Sequence, residues 1–158
     1  MKITKLWEGL KQIANGDYVL EGDLISEEII EIDLDDRLVV RGSVVSKKGI
    51  AIRYGIKAGE GIEAGCGIKA GEGIEAGYGI KAGWGIEAGY GIKAGWGIEA
   101  GWGITAGEGI KAKTFICSEK RIFAGICVYH TNENCEKEIR CAELRKGEIC
   151  FGDLVIQK

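Results

Sequence analysis

The sequence predicts an all-β protein, a β-solenoid (β-helix) with three six-residue sides per 18-residue turn. Three observations carry this: an uninterrupted six-residue repeat over residues 55–112, an apolar pair in every unit, and an alternating charge between its two members. The repeat reads GIKAGE GIEAGC GIKAGE GIEAGY GIKAGW GIEAGY GIKAGW GIEAGW GITAGE GIKA, nine full units and a truncated tenth. Ile and Ala, two residues apart, share one face of an extended chain, and the third position between them points the other way. A helix is excluded, because glycine twice in six residues destabilises it at each occurrence. One continuous strand is excluded as well. The 19 glycines between positions 55 and 109 would destabilise it by on the order of 10–20 kcal/mol. The Gly-x-Gly pairs are therefore expected at corners, where unusual backbone angles are needed, and each unit is a short strand plus a bend.

The charge alternation sets the number of sides. The third position runs Lys57, Glu63, Lys69, Glu75, Lys81, Glu87, Lys93, Glu99. Two units per turn would stack Lys on Lys and Glu on Glu, which destabilises. Three units place Lys57 under Glu75 and Glu63 under Lys81.

The sixth position varies: Glu60, Cys66, Glu72, Tyr78, Trp84, Tyr90, Trp96, Trp102, Glu108. A site that accepts Glu does not face a dry core of Ile and Ala. These side chains are expected outside, in the columns Glu60–Tyr78–Trp96, Cys66–Trp84–Trp102 and Glu72–Tyr90–Glu108. Exposed aromatics in rows mark an interaction surface. Tyr78, Trp84, Tyr90, Trp96 and Trp102 are the candidate partner-binding residues.

The chain divides into three parts. Residues 1–16 carry Ile3, Leu6, Trp7, Leu10, Ile13 and Ala14 at helical spacing before Gly16 and Asp17, which predicts an N-terminal capping helix. Residues 17–130 form the solenoid. Counting by sixes outward from the regular repeat gives Ile50, Val44, Leu38 and Ile32 on one side and Ile116, Ile122 and Val128 on the other. The expected body thus has between five and six turns. Residues 131–158 read as a loop and a small C-terminal β cap that blocks edge-to-edge association, with apolar stretches at 149–151 and 154–156 and turn glycines Gly147 and Gly152.

The 158 residues include 24 acids and 21 bases, a net charge of −3, which disfavours direct binding of nucleic acid. No apolar run is long enough for a transmembrane helix and no secretory signal is visible. Six cysteines without a framework spacing point to reduced thiols in a cytoplasm. Between positions 17 and 36 there are nine acidic residues and no basic one, read either as a solvated face or as a negative patch for a basic partner. Asp33, Asp35 and Asp36 are its candidate contacts. His130 is the only histidine, and Cys127, Cys135 and Cys141 lie near it without a C-x-x-C pair. No metal site, cofactor or catalytic residue is assigned. The Gly-x-Gly runs open no helix and precede no Lys-Ser/Thr, so they are not phosphate loops.

In its six-residue period the chain resembles the left-handed hexapeptide-repeat β-helices, many of them trimeric acyltransferases. The fifth place of that pattern, small in the family, holds Cys66, Tyr78 or Trp84 here. The arrangement as a whole resembles GIKAG/GIEAG repeat proteins of Firmicutes phages and mobile elements. There a segment like DLDDRLVVRGSVVSKKGIAIRYGIKAG and a tail like RIFAGIC…GEICFGDL bracket a variable number of repeats. That resemblance implies an anti-defence protein, such as an anti-CRISPR inhibitor, in a bacterial cytoplasm. Its partner would then be a protein, for instance a nucleic-acid-binding defence effector. The corner aromatics also suit a homo-oligomer interface. The alternatives are a hexapeptide-repeat acyltransferase and a structural or carbohydrate-binding solenoid.

Overall fold

Eighteen residues of chain close each regular turn. In the computed structural model, which describes residues 1–126 and 136–157, Ile62 pairs with Ile80 and Ile80 with Ile98 in parallel register. The same offset joins Ile56 to Ile74 and Ile68 to Ile86. The result is a β-solenoid of about seven turns, built from strands of mostly three residues and, among the described residues, no helix. The first side is Tyr18–Leu20, Leu38–Val40, Ile56–Ala58, Ile74–Ala76, Ile92–Ala94 and Ile110–Ala112. The second side runs from Leu24–Ser26 through Val44–Ser46, Ile62–Ala64 and Ile80–Ala82 to Ile98–Ala100. The third runs from Ile30–Ile32 through Ile50–Ile52, Ile68–Ala70 and Ile86–Ala88 to Ile104–Ala106.

The core is two inward rows per side. The repeat isoleucines and alanines from Ile56 to Ala112 are all buried, and the residue between each pair is exposed or half-buried. Of the three serines at inward positions, Ser26, Ser46 and Ser118, the last two are buried, and each of those hydroxyls finds a backbone acceptor. Ser46 donates to Glu28 O (2.8 Å) and Ser118 to Trp102 O (2.9 Å), so neither leaves a buried donor unpaired. Main-chain bonds link successive turns at every corner. The Ile80 amide donates to Gly97 O (3.0 Å) and the Gly77 amide to Ala58 O (3.0 Å).

The corner glycines serve a purpose other than the expected one. None of those in the repeat has a positive φ, so unusual backbone angles do not select them. The glycine that follows each Ala from Ala58 to Ala100 sits in a close approach. A Cβ on Gly77 would lie 2.0 Å from Gly59 O, and one on Gly95 only 1.9 Å from Gly77 O. The glycine that precedes each Ile is less crowded, with 3.3 Å from a Gly79 Cβ to Gly97 O.

The charged ladder stacks as the alternation requires. Lys57 meets Glu75 at 3.2 Å, Lys69 meets Glu87 at 2.9 Å and Lys81 meets Glu99 at 3.7 Å. Where the alternation lapses, Lys111 falls in register with Lys93 and is paired with Glu136.

Two expectations at the N-terminus are corrected. Residues 3–14 form no helix: Lys2–Ile3 extends the third side, and Leu10–Gln12 runs antiparallel to Tyr18–Leu20. The helical stripe is unused, since Leu6 is 95 % exposed and only Ile3 of the six is buried. Gly9 at φ 83° and Gly16 at φ 97° turn the chain. An isolated helix this short is marginal in water, whereas the open end of a sheet offers unpaired amides and carbonyls. The hexad phase also starts at Leu38 rather than Ile32. Tyr18 pairs with Leu38 and Ile30 with Ile50, 20 residues apart, because two extra residues enter between Ile32 and Leu38. Ile32 then aligns with Ile52, and Leu34 is buried.

At the C-terminal end Ile116 and Ile122 keep phase within one long strand, Phe115–Ala124, that pairs with both the second and third sides. Val128 lies outside the described residues. Glu138–Cys141, Glu143–Phe151 and Asp153–Ile156 then continue the stack in parallel. The expected β cap therefore does not block the edge: the last two strands extend the sides, and no described strand pairs with their outer edges.

Two measurements check this architecture. Gly95→Ala should destabilise by ~1–3 kcal/mol through overpacking against a carbonyl, whereas Gly79→Ala should change urea stability far less; equal losses would refute the close-approach account. Lys81→Glu, which sets a third carboxylate between Glu63 and Glu99, should lower stability by ~0.2–1 kcal/mol in low salt. Glu63→Lys with Glu99→Lys should restore it.

Candidate interaction surface at the corners

Each corner projects one side chain per turn, and the three columns stand as the repeat arithmetic places them. The Trp96 amide donates to Tyr78 O (3.2 Å) and the Tyr78 amide to Glu60 O (3.1 Å) at the first corner. At the second, Trp102 N donates to Trp84 O (3.0 Å) and Trp84 N to Cys66 O (3.1 Å). At the third, Glu108, Tyr90 and Glu72 follow one another in the same way. Tyr78 and Trp96 touch edge to face, with ring centroids 6.1 Å apart and planes at 71°. The indoles are open to solvent: Trp84 is 69 %, Trp96 61 % and Trp102 65 % exposed.

The aromatic rows lean over the side that follows them, and the glycine ahead of each Ile floors the trough so formed. Trp96 borders a shallow depression on the second side with Gly79, Gly97, Lys81, Glu99 and Phe115. Trp84 and Trp102 together border one of about 480 Å³ on the third side, over Gly67, Gly85 and Gly103. Trp102, Gly103 and Thr105 belong also to a larger trough of about 790 Å³ reaching Lys120, Arg121 and Phe123. The two adjoin at Trp102, Gly103 and Thr105, so the third side carries two neighbouring troughs that form the groove beneath the Trp84–Trp102 row.

The groove's chemistry changes along its length. Lys69 and Glu87 form an ion pair at 2.9 Å on its floor. Beyond them the outward position turns uncharged at Thr105, which is in register with Phe123. Lys120 lies 5.7 Å from the Trp102 ring centroid, a cation–π distance. Lys120 and Arg121 were not among the predicted site residues. The signal was available, since carrying the variable position forward by sixes from Glu108 reaches Thr114 and then Lys120.

Of the predicted residues, Trp84 and Trp102 meet in this groove, and Tyr78 and Trp96 meet on the adjoining corner. Tyr90 stands apart on the third corner between Glu72 and Glu108. Asp33, Asp35 and Asp36 sit at the start of that corner, remote from the tryptophans along the stack. The acidic stretch that contains them is answered largely from within the chain. Asp33 pairs with Lys2 (3.1 Å) and Arg53 (3.4 Å), Asp35 with Lys5, Glu27 with Lys47 (2.6 Å), and Glu28 with Lys48. Asp36 accepts the Arg37 amide (2.8 Å). The most enclosed member is Asp17, 6 % exposed, which takes Arg37 at 2.6 Å. The Arg37 bond holds the Asp17 carboxyl below its ordinary value, as the Lys5 bond does for Asp35 and the Lys2 bond for Asp33.

His130, Cys127 and Cys135 lie outside the described residues. Cys141 is buried, and desolvation pushes its thiol up, away from the nucleophilic thiolate. Among the described residues no group of three His, Cys, Asp or Glu side chains is placed to hold a metal ion. No helix there is long and apolar enough to cross a membrane.

Comparison with family models, curated proteins and solved structures found no match. The site stands on its own geometry.

The paired acids of the first turns are expected to contribute stability that is lost in acid. A carboxylate depressed in the fold contributes stability above its ordinary value of 3.8 and loses it as pH falls through the lower folded value. Urea stability should therefore fall between about pH 5 and about pH 2, and Asp17→Asn should flatten that slope while lowering stability at neutral pH. An unchanged slope would remove the Asp17–Arg37 pair from the account.

Proposed function

We propose that this chain is a protein-binding solenoid that acts by occupancy and not by catalysis. The observation that carries the reading is the row of exposed indoles over the third-side groove. A rigid ladder repeats like side chains at a fixed interval, which suits an extended contact. A reaction centre needs unlike groups converging on one point, and the repeat varies widely in chemistry only at its sixth position. Large aromatics in exposed rows supply the anchors of protein interfaces, each worth ~2 kcal/mol or more when buried against a partner.

The finer reading follows the resemblance of the GIKAG/GIEAG units to repeat proteins of phages and mobile elements. On it, the chain blocks a component of a bacterial defence system in stoichiometric complex, as anti-CRISPR proteins do. The internally paired acids of residues 17–36 leave less net negative charge for steering than their sequence suggests, so the tryptophan groove carries more of the recognition than Asp33, Asp35 and Asp36.

The test is a titration of the purified chain against the defence complex it protects from, with the tryptophan variants alongside. Trp84→Ala with Trp102→Ala should weaken inhibition at least about tenfold with circular dichroism and urea midpoint little changed, and full inhibition should need one chain per target. Inactivation at far below one equivalent, or turnover of an acyl-coenzyme A abolished by His130→Ala, would reject occupancy in favour of an enzyme.

A further inference from the structure

The two ends of the stack are finished differently. At the N-terminal end, Met1, Trp7 and Leu10 pack against the core. The Met1 ammonium donates to Ile29 O (2.6 Å), and the antiparallel strand Leu10–Gln12 covers Tyr18–Leu20. At the C-terminal end the final strands are Glu143–Phe151 and Asp153–Ile156, and no described strand pairs with their outer edges. Leu144 and Ile149 stand in register with Ile116 and Ile122, and Leu154 and Ile156 with Ile139 and Cys141. All four of those partners are completely buried. The inward rows of the core thus continue into the last turn and are left uncovered there, with Leu154 43 % and Ile156 51 % exposed. Uncovered core rows beside free strand edges are a template for another strand.

The charges on that edge indicate which strand. Arg145 and Lys146 precede Gly147, and Glu148 follows it. Gly147 lies at the second corner, between residues in register with Cys117 and Arg121. We propose that two copies of this chain associate end to end through their last turns, about a two-fold axis passing near Gly147. Antiparallel pairing about that point brings Arg145 and Lys146 of one copy to Glu148 of the other, twice by symmetry, and sets Leu144 against Ile149. The same axis crosses the middle of the first side, where Asp153–Ile156 meets its own copy with Leu154 facing Ile156. Within one chain Glu148 makes no ion pair with a described residue, whereas Arg145 and Lys146 are joined to Glu143 and Glu119. A head-to-tail contact has no such complement: Lys2–Ile3, Leu10–Gln12 and Leu24–Ser26 also have outer edges that no described strand pairs with, but the inward Ile3, Tyr18, Leu20 and Leu24 of that end are already buried. An isologous contact uses up both free edges and closes at two copies. This association is independent of the tryptophan groove.

Sedimentation velocity on the full chain tests it. The chain should sediment at twice its monomer mass at micromolar concentration. Glu148→Lys should raise the dimer dissociation constant at least about tenfold through like-charge contact, and so should Arg145→Glu with Lys146→Glu, with the far-ultraviolet spectrum unchanged. Mixing these two variants should restore the dimer, since every 145/146-to-148 contact between them is again of opposite sign. Trp84→Ala with Trp102→Ala should leave the dimer intact. A monomeric wild-type chain, a dimer indifferent to Glu148→Lys, a mixture that stays monomeric, or a dimer lost with the tryptophans would each overturn the proposal.

Discussion

The fold depends on one steric constraint, the approach of each turn's corner to a main-chain carbonyl of the turn below. Where a repeat glycine follows the inward Ala, its missing Cβ leaves only 1.9–2.1 Å to that oxygen. A Cβ at any of these glycines requires something to shift, whereas Arg41, Lys47, Arg53 and Lys113 take the same place elsewhere and keep the bond to the turn below. Within the regular repeat the tight corner goes with three short strands in 18 residues, the inward rows of isoleucine and alanine, and the stacking of every outward residue on its counterpart one turn away. Ion pairs and aromatic columns follow from that register; they do not create it. Exposed pairs of ~0.2–1 kcal/mol each select among registers that the corner geometry already limits.

Much of this was legible because the repeat is so regular. The alternation from Lys57 to Glu99 excluded two units per turn, and the observed pairing of Lys57 with Glu75 is the three-unit arrangement. The same arithmetic placed Tyr78 under Trp96 and Trp84 under Trp102. What was not legible lies where the period breaks. A two-residue insertion at a corner leaves no mark in composition, so Ile32 was read one row out of place. The apolar spacing of residues 3–14 is that of a helix, but the free end of the sheet competes for the same backbone groups and wins. The acidic stretch carried a different lesson. A local count of charge cannot show that Lys2, Lys5, Lys47 and Lys48, each distant in sequence, arrive beside it one turn away. Lys120 and Arg121 were passed over because the repeat no longer announces itself after Ala112.

A ladder of this kind separates stability from recognition. The inward rows are nearly invariant and hold the stack together, while the sixth position can be Glu, Cys, Tyr or Trp with no effect on the core. The groove beneath Trp84 and Trp102 is floored by a glycine in each turn, so the residue type that permits close stacking elsewhere also opens the trough here. Binding groups mounted on such a frame need little reordering on contact, which favours affinity from a modest number of anchors.

The near-identity of the units has a consequence at the level of the gene. Recombination between repeats gains or loses whole six-residue units, and each such unit is one side of the triangle, not one turn. A single-unit change therefore rotates everything beyond it by a third of a turn. It moves the downstream part of one aromatic column onto the next corner, and it can set Lys over Lys along a side. A change of three units keeps every column on its corner but sets like charges over one another at the junction, as Lys57 over Lys93, because units six apart carry the same sign. Only multiples of six leave both the columns and the ion-pair ladder intact, so other repeat-number changes trade ladder charge or corner pattern for length over an unchanged core.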